Sequence, residues 1–574
     1  MKPIVTFIFI TTLCLCTSFA KPRNSDATAQ YKVLVDQYFD FYFQQHPTEA
    51  TAQGLHQHDK QLEDYSAAGR AVQIRGLKEF LGRFQAFDRT GLTADDAADL
   101  DFVISSIQSA LLELEDIQSW RKDPDTYTSG VTNSIFLIMK RNYAPAEERL
   151  AAVVARERQI PKAFDEARRN LKNPPKIYTQ IALEQLPDVA DFFRKDVPEA
   201  FSSVKDPKLL ADFKAANQGV IAALEGYEKY LKESVLPHAN GDFRLGPENY
   251  RKKLLYDEMV DIPLDRLLEI GYADLRRNQE QMKRVAAQIS PGASVEQVLE
   301  QVQKQHPAPN QLLQAFQNSL AGIREFIEQK KLLTIPPGAP PVIEETPPFE
   351  RATTEASLDT PGAYETKDKK ALFNVTTPDP KWTPERTEGW MKMFNNAIIP
   401  NTSVHEVYPG HFVQFLWIIN NPSKVRKLIF CSSNAEGWAH YAEQMMLDEG
   451  YGNGDPKMRI GQLEDALLRN ARYIVGIEMH TGHMTLSQAK QFFIKEGYQP
   501  ESVADVEMKR GTSDPTYLVY TLGKLQILKL RADYEKMRGK DFSLREFHDK
   551  FLAQGGVPLK IIRKAMLGND SPTL

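Results

Sequence analysis

His405 and Glu406 begin the segment His405-Glu-Val-Tyr-Pro-Gly-His411, and 25 positions after His411 comes a second polar segment, Glu436-Gly-Trp-Ala-His440-Tyr-Ala-Glu443. Imidazole and carboxylate side chains are zinc ligands, and a catalytic zinc site keeps one position for water with a carboxylate nearby to take its proton. A His-Glu pair, a second His and a later helical Glu supply all four parts. The two histidines are six residues apart, whereas the familiar H-E-x-x-H motif places them four apart on one helical face. On an unbroken helix six residues turn the chain through about 600° and advance it by about 9 Å, so such a pair does not converge on one ion. Pro409 and Gly410 lie between them. Proline removes an N–H and its ring clashes with the preceding turn, so the sequence predicts a break near Tyr408 and a new helix from Gly410 to Ile419, ended by Asn420-Asn-Pro422.

Bland readings of the same residues exist. His405 can be a polar residue before a proline turn, and His411 the first residue of a helix. Ser433-Asn-Ala-Glu436 also reads as a capping box, and His440 as a core histidine beside Trp438. Metal binding is favoured by the residues jointly, not by any one of them. On this reading His405, His411 and Glu436 hold one Zn²⁺ per chain and Glu406 is the general base for attack on a peptide carbonyl. His440 and Glu443 share the Glu436 face and are candidates to orient the ligands. Another helix carries Arg469, Arg472, Glu478 and His480, and a last one Tyr517, Tyr520, Gly523 and Arg531. His480 or Tyr520 is expected to donate to the developing oxyanion, with Tyr517 as the substitute for Tyr520. Arg472 or Arg531 is a candidate for a substrate carboxylate. Each tyrosine is equally readable as a buried ring, and each arginine as an ion-paired helix residue.

The elements that must position these groups are mostly helical. From Ala27 to about Lys331 amphipathic stretches follow one another, with breaks expected at Pro145, Asn173-Pro-Pro175, Pro187 and His238-Ala-Asn-Gly241. Residues 335–383 form a proline-rich segment of loops and short strands, exemplified by Ala371-Leu-Phe-Asn-Val-Thr-Thr377. Helical patterning resumes at Pro384. The organisation is therefore a leader at 1–20, an N-terminal helical region at 21–334, the proline-rich segment at 335–383 and a C-terminal helical region at 384–574 that carries the metal site.

Lys2, the apolar run Ile4–Cys16 and Thr17-Ser-Phe-Ala20 read as an export signal cleaved after Ala20, leading to a periplasmic or secreted product. Cleavage removes Cys14 and Cys16, so Cys431 is left without an intramolecular disulfide partner. With 71 basic against 76 acidic residues, net charge −5, nothing electrostatic calls for nucleic acid or an anionic membrane. A peptide or small amide is the expected partner, and monomer the default state.

The two motifs resemble the signature of the domain of unknown function 885 family, His-Glu-x-x-Pro-Gly-His followed by Glu-Gly-Trp-Ala-x-Tyr-x-Glu. The matching residues are His405, Glu406, Pro409, Gly410, His411, Glu436, Gly437, Trp438, Ala439, Tyr441 and Glu443. The resemblance extends to Pro47–His56, Phe373-Asn374, Arg472 with His480, and Tyr520-Thr-Leu-Gly523. It implies kinship with gluzincin-type helical zinc peptidases and a two-lobed helical body around a deep cleft. Phe412 and Gly476 depart from the family pattern, which has a second histidine and an acid at those positions. The expected function is an exported zinc metallopeptidase of short peptides. The alternatives are a zinc amidase or esterase acting on small molecules, or an inactive zincin-like binding protein.

Overall fold

The computed structural model describes residues 24–346, 351 and 355–574. The expected leader, with Cys14 and Cys16, lies outside them. Helix makes up 71% of the chain, and the few strands form one three-stranded sheet. Several helices begin where a hydroxyl can accept an otherwise unpaired backbone N–H, as at Ser66, Thr93, Ser294 and Thr383. Pro145 and Pro175 immediately precede helices Ala146–Glu157 and Lys176–Asp191. Pro187, expected to break the chain, instead sits inside helix Lys176–Asp191, which continues into a π-helical turn at Phe192–Asp196. Leu186, Phe192 and Phe193 are buried around it, and this packing overrides the local cost of the proline.

The main apolar core runs from Tyr38 and Phe102 through Phe316 and Phe373 to Trp438, Ile527 and Phe551. It draws side chains from both sides of the 334/335 boundary, so the N-terminal and C-terminal helical regions are held by a shared core. A second cluster, including Tyr127, Phe164 and Tyr227, lies wholly within residues 65–235. A third joins Tyr250 and Leu275 to Leu463 and Leu522.

The sheet comprises β1 (Val342–Glu345), β2 (Ala356–Asp359) and β3 (Leu372–Val375). β3 is central, parallel to β1 and antiparallel to β2, with Leu358 opposite Phe373. After β2 the chain folds against helix Pro47–Ala52, where Tyr364 N donates to Gln53 O at 2.9 Å. His56 clasps this crossing. Its Nδ1 lies 3.1 Å from Asp59 Oδ2, its Nε2 lies 2.9 Å from Glu365 Oε2, and its ring stacks on Tyr143 at 3.6 Å.

Helix Ser432–Asp448, which carries Glu436, packs on helix Val519–Arg538 at backbone distance. A Cβ on Gly437 would lie 2.5 Å from Gly523 Cα, and one on Gly523 would meet the carbonyl of Ser433. Both positions need glycine for close approach rather than for backbone freedom.

Two outcomes follow for stability. Gly523→Ala forces these helices apart and is expected to destabilise the fold by roughly 1–3 kcal/mol, read from urea unfolding. For His56, burial alone would lower the pKa, but hydrogen bonds to Asp59 and Glu365 raise it. A raised folded pKa stabilises fully below the unfolded value near ~6.5 and loses its effect as pH climbs through the folded value. The same contacts hold Asp59 and Glu365 below their usual values against burial, so the clasp also weakens in acid. His56→Gln should therefore lower the melting temperature more at pH 6 than at pH 9; an equal drop at both would refute a charged clasp.

Candidate metal centre

Helix Ile398–Glu406 ends directly after His405, and helix His411–Ile419 starts at the second histidine. The predicted start at Gly410 is one residue early, since Gly410 is the N-cap. Between the helices the chain doubles back: Gly410 N donates to Val404 O at 3.0 Å, and the Tyr408–Pro409 peptide is cis. A Cβ on Gly410 would run into the carbonyls of His405 and Val404. Trp438 pins this loop from the neighbouring helix by donating its indole N–H to Pro409 O at 2.9 Å. The two imidazoles thereby meet edge to face, with centroids 4.8 Å apart.

Glu436 closes the group. Its Oε2 lies 3.5 Å from His405 Nε2 and 3.4 Å from His411 Nε2, and the three ligand atoms are all within 4.8 Å of one another. That oxygen is buried and makes no hydrogen bond among the described residues. Ligands held 2.0–2.2 Å from a tetrahedral zinc are roughly 3.4 Å apart, so two of the three spacings match that ion. Ser433-Asn-Ala-Glu436 is not a capping box: the helix is capped at Cys431 without a side-chain bond, which leaves the Glu436 carboxylate to the histidines.

Behind the group Glu443 is completely buried. Its Oε1 accepts from His405 Nδ1 at 2.7 Å and is ion-paired with Arg469 at 3.2 Å, while Oε2 accepts from His440 Nδ1 at 3.1 Å. Burial alone would raise the Glu443 pKa; Arg469, His440 and the bond from His405 reverse this and hold it well below the usual range. Because His405 donates from Nδ1, its Nε2 is directed to Glu436, which is the tautomer a metal ligand requires. Burial would lower the His405 pKa, but the flanking carboxylates raise it to about 10. His440 is driven down to about 3 by burial and by Lys524 beside it. Burial also brings Lys524 down to about 7, and among the described residues its Nζ makes no hydrogen bond.

Tyr520 lies nearly parallel to the His405 ring, with centroids 6.5 Å apart. Arg469 and Arg472 sit over its ring at 5.6 and 5.1 Å, and Arg510 donates to its hydroxyl at 3.4 Å. Burial and the Glu436 charge raise the Tyr520 pKa, keeping the phenol protonated. Glu406 follows His405 and is half-buried.

Other candidates fall elsewhere. His480 is at the far end of helix Pro456–His480, roughly 16 Å along the axis from Arg469. It bonds Gly511 O at 2.7 Å and packs on Phe243 and Tyr250, so it is not an oxyanion donor at this centre. Arg531, three turns beyond Tyr520, is committed to Tyr441 and Glu449 at 3.1 Å each. Arg472 makes two 2.7 Å bonds to Glu507, which neutralise it. Tyr517 is buried against Gly476 and Gly511. Gly476, where the family pattern has an acid, gives that ring its room, and Phe412 packs on Tyr408 in place of a second histidine. Arg469, Lys524 and Glu507 have no assignment from the sequence, which gives no signal for a partner 26 or more residues away, and Arg510, ten residues before Tyr520, has none either.

A cavity of about 400 Å³ lies beside the centre, with His411 and Ala435 among its lining residues. Its walls include Phe415, Ile418, residues 360–363 and Lys427.

A family model described as a bacterial protein of unknown function, DUF885, matches residues 47–566. Two solved structures share the fold, each covering 94% of this chain and 99% of its own. One, described as a candidate lipoprotein of unknown function from Shewanella oneidensis, is 28% identical with a TM-score of 0.80. The other, described as a candidate lipoprotein from Colwellia psychrerythraea, is 18% identical with a TM-score of 0.79. No curated protein matches the chain.

Glu443→Gln keeps the shape but removes the charge that orients His405. Zinc affinity measured by chelator competition is expected to fall by roughly 10–100-fold, and unchanged affinity would refute the orienting role.

Proposed function

The chain belongs to the DUF885 family of bacterial proteins, and we propose that it is an exported, zinc-dependent peptide hydrolase with a two-lobed helical body of the zinc-peptidase kind. The observation that carries this reading is the buried Glu436 oxygen, without a hydrogen bond among the described residues and 3.4–3.5 Å from two imidazole nitrogens. A donor set of two neutral-capable imidazoles and one carboxylate suits zinc and leaves a position for chemistry. When bound, the ion supplies a Lewis acid and makes water acidic enough to lose a proton near neutral pH.

The protein's own groups do the remainder. His405 is kept in one tautomer by Glu443, and His411 is aimed by the loop that Trp438 and Gly410 hold shut. Glu406 accepts the proton of the attacking water and returns it to the departing amine. Tyr520, kept protonated, donates to the oxygen on which negative charge develops. Export is supported by the lipoprotein descriptions of both structural relatives. Among the described residues no helix is long and apolar enough to cross a membrane.

Purified protein should carry about one zinc per chain, lost to a chelator together with peptide hydrolysis. Glu406→Gln should keep the zinc and lose activity by roughly 100-fold or more. Tyr520→Phe should lower kcat by about 10–100-fold with little change in KM. Protein without metal, or an active Glu406→Gln, rejects the reading. Stoichiometric zinc without hydrolysis of peptides, amides or esters would identify a binding protein.

A further inference from the structure

The cavity beside His411 has a direction. Helix His411–Ile419 places His411, Phe415 and Ile418 at successive turns of one face, and all three line it. From His411 to Ile418 that face runs about 10 Å, while an extended peptide spans about 3.3–3.6 Å per residue. The stripe therefore accommodates about three residues beyond the metal group. A volume of about 400 Å³ lies within the range of small-ligand pockets and has room for a short chain end.

The charges on the walls give the chain end a sign. Lys140 and Arg141 line the cavity but share Asp359, at 2.8 and 3.1 Å. Glu49 also lines it, hydrogen-bonded to Gln53 at 2.9 Å, and burial pushes its carboxyl upward toward the neutral form. Lys427 is different. It is half-buried on helix Lys424–Leu428 and, among the described residues, its ammonium has neither an ion pair nor a hydrogen bond. The walls thus combine an apolar stripe with a net positive set of side chains that includes one uncommitted cation.

We propose that this cavity receives the C-terminal end of the substrate, one to three residues long, with an apolar side chain against Phe415 and Ile418 and the free carboxylate on Lys427. Combined with the hydrolase reading, on which this rests, the protein removes short C-terminal fragments from peptides. Water adds across the amide, the shortened peptide gains a carboxylate, and the released fragment gains an amino group. Lys427 is a specificity residue and touches no reacting bond.

Two measurements on the purified full-length protein test this. In calorimetry, N-acetyl-L-phenylalanine should bind at least about tenfold tighter than its C-terminal amide, as expected for a charge-assisted contact. Lys427→Met should erase that preference by weakening the acid alone, and Lys427→Arg should retain most of it. In mass spectrometry, an N-acetylated peptide ending in Leu-Phe should lose one to three C-terminal residues, and amidation should slow this by a similar factor. Equal binding of acid and amide, or a preference that survives in Lys427→Met, overturns the assignment of the cavity. Internal cleavage indifferent to amidation overturns it as well. The calorimetric arm needs no turnover, so acid-selective binding without cleavage supports the pocket and counts against the hydrolase alone.

Discussion

A carboxylate cut off from water, Glu443, is the constraint on which the centre depends. Such a charge is tolerated only when it is surrounded by compensating donors. His405, His440 and Arg469 supply them from three different stretches of chain, and each is fixed in return. His405 is committed to one tautomer and one ring orientation. Arg469 is drawn from helix Pro456–His480 toward the His405–His411–Glu436 group, which brings the Tyr520 ring and Arg472 into one stack. Lys524 lies in the same interior, where burial has weakened its charge. A fully charged ammonium there would oppose a metal cation across His440.

The signature residues divide into those that offer ligand atoms and those that bring them together. Gly437 and Gly523 let two helices touch at backbone distance, which is what places Tyr520 opposite Glu436. Trp438 stacks on Phe551 at 5.3 Å in the main core and holds the Pro409 carbonyl. The loop between the histidines is thus tied to the largest buried cluster in the molecule. A six-residue spacing works because that loop leaves helix geometry at Val407 and re-enters it at His411, with Gly410 packed so tightly that no side chain would fit. The loop gains its rigidity from the core rather than from its own sequence.

This explains which features could be read in advance. Helical class, the strand at Leu372–Val375, the break before Pro409 and the convergence of His405, His411 and Glu436 all rest on local residue types or short spacings. Pro187 was misread because its helix is stabilised by burial of Leu186 and Phe192, which no local rule reports. His480 and Arg531 were placed on the correct helices, but helix length carried them about three turns past the site. In the sequence Arg469 is only one charge among several on a long helix. Its role is set by Glu443, which sits on another element, and a single sequence does not announce such a pairing.

Charge on the two sides of the metal group is handled in opposite ways. On the Tyr520 side every arginine has an acid: Arg469 has Glu443, Arg472 has Glu507, and Arg510 has Asp514 at 3.1 Å. Those cations are spent on shaping the interior and on holding the phenol. On the cavity side Lys140 and Arg141 divide one aspartate, and among the described residues Lys427 has no ion pair. On the proposed reading, a peptide across the centre would meet a neutralised wall at one end and a net positive one at the other. Under the proposed function that asymmetry would orient an anionic chain end toward the cavity, because Coulomb attraction acts over longer distances than the apolar contacts along Phe415 and Ile418.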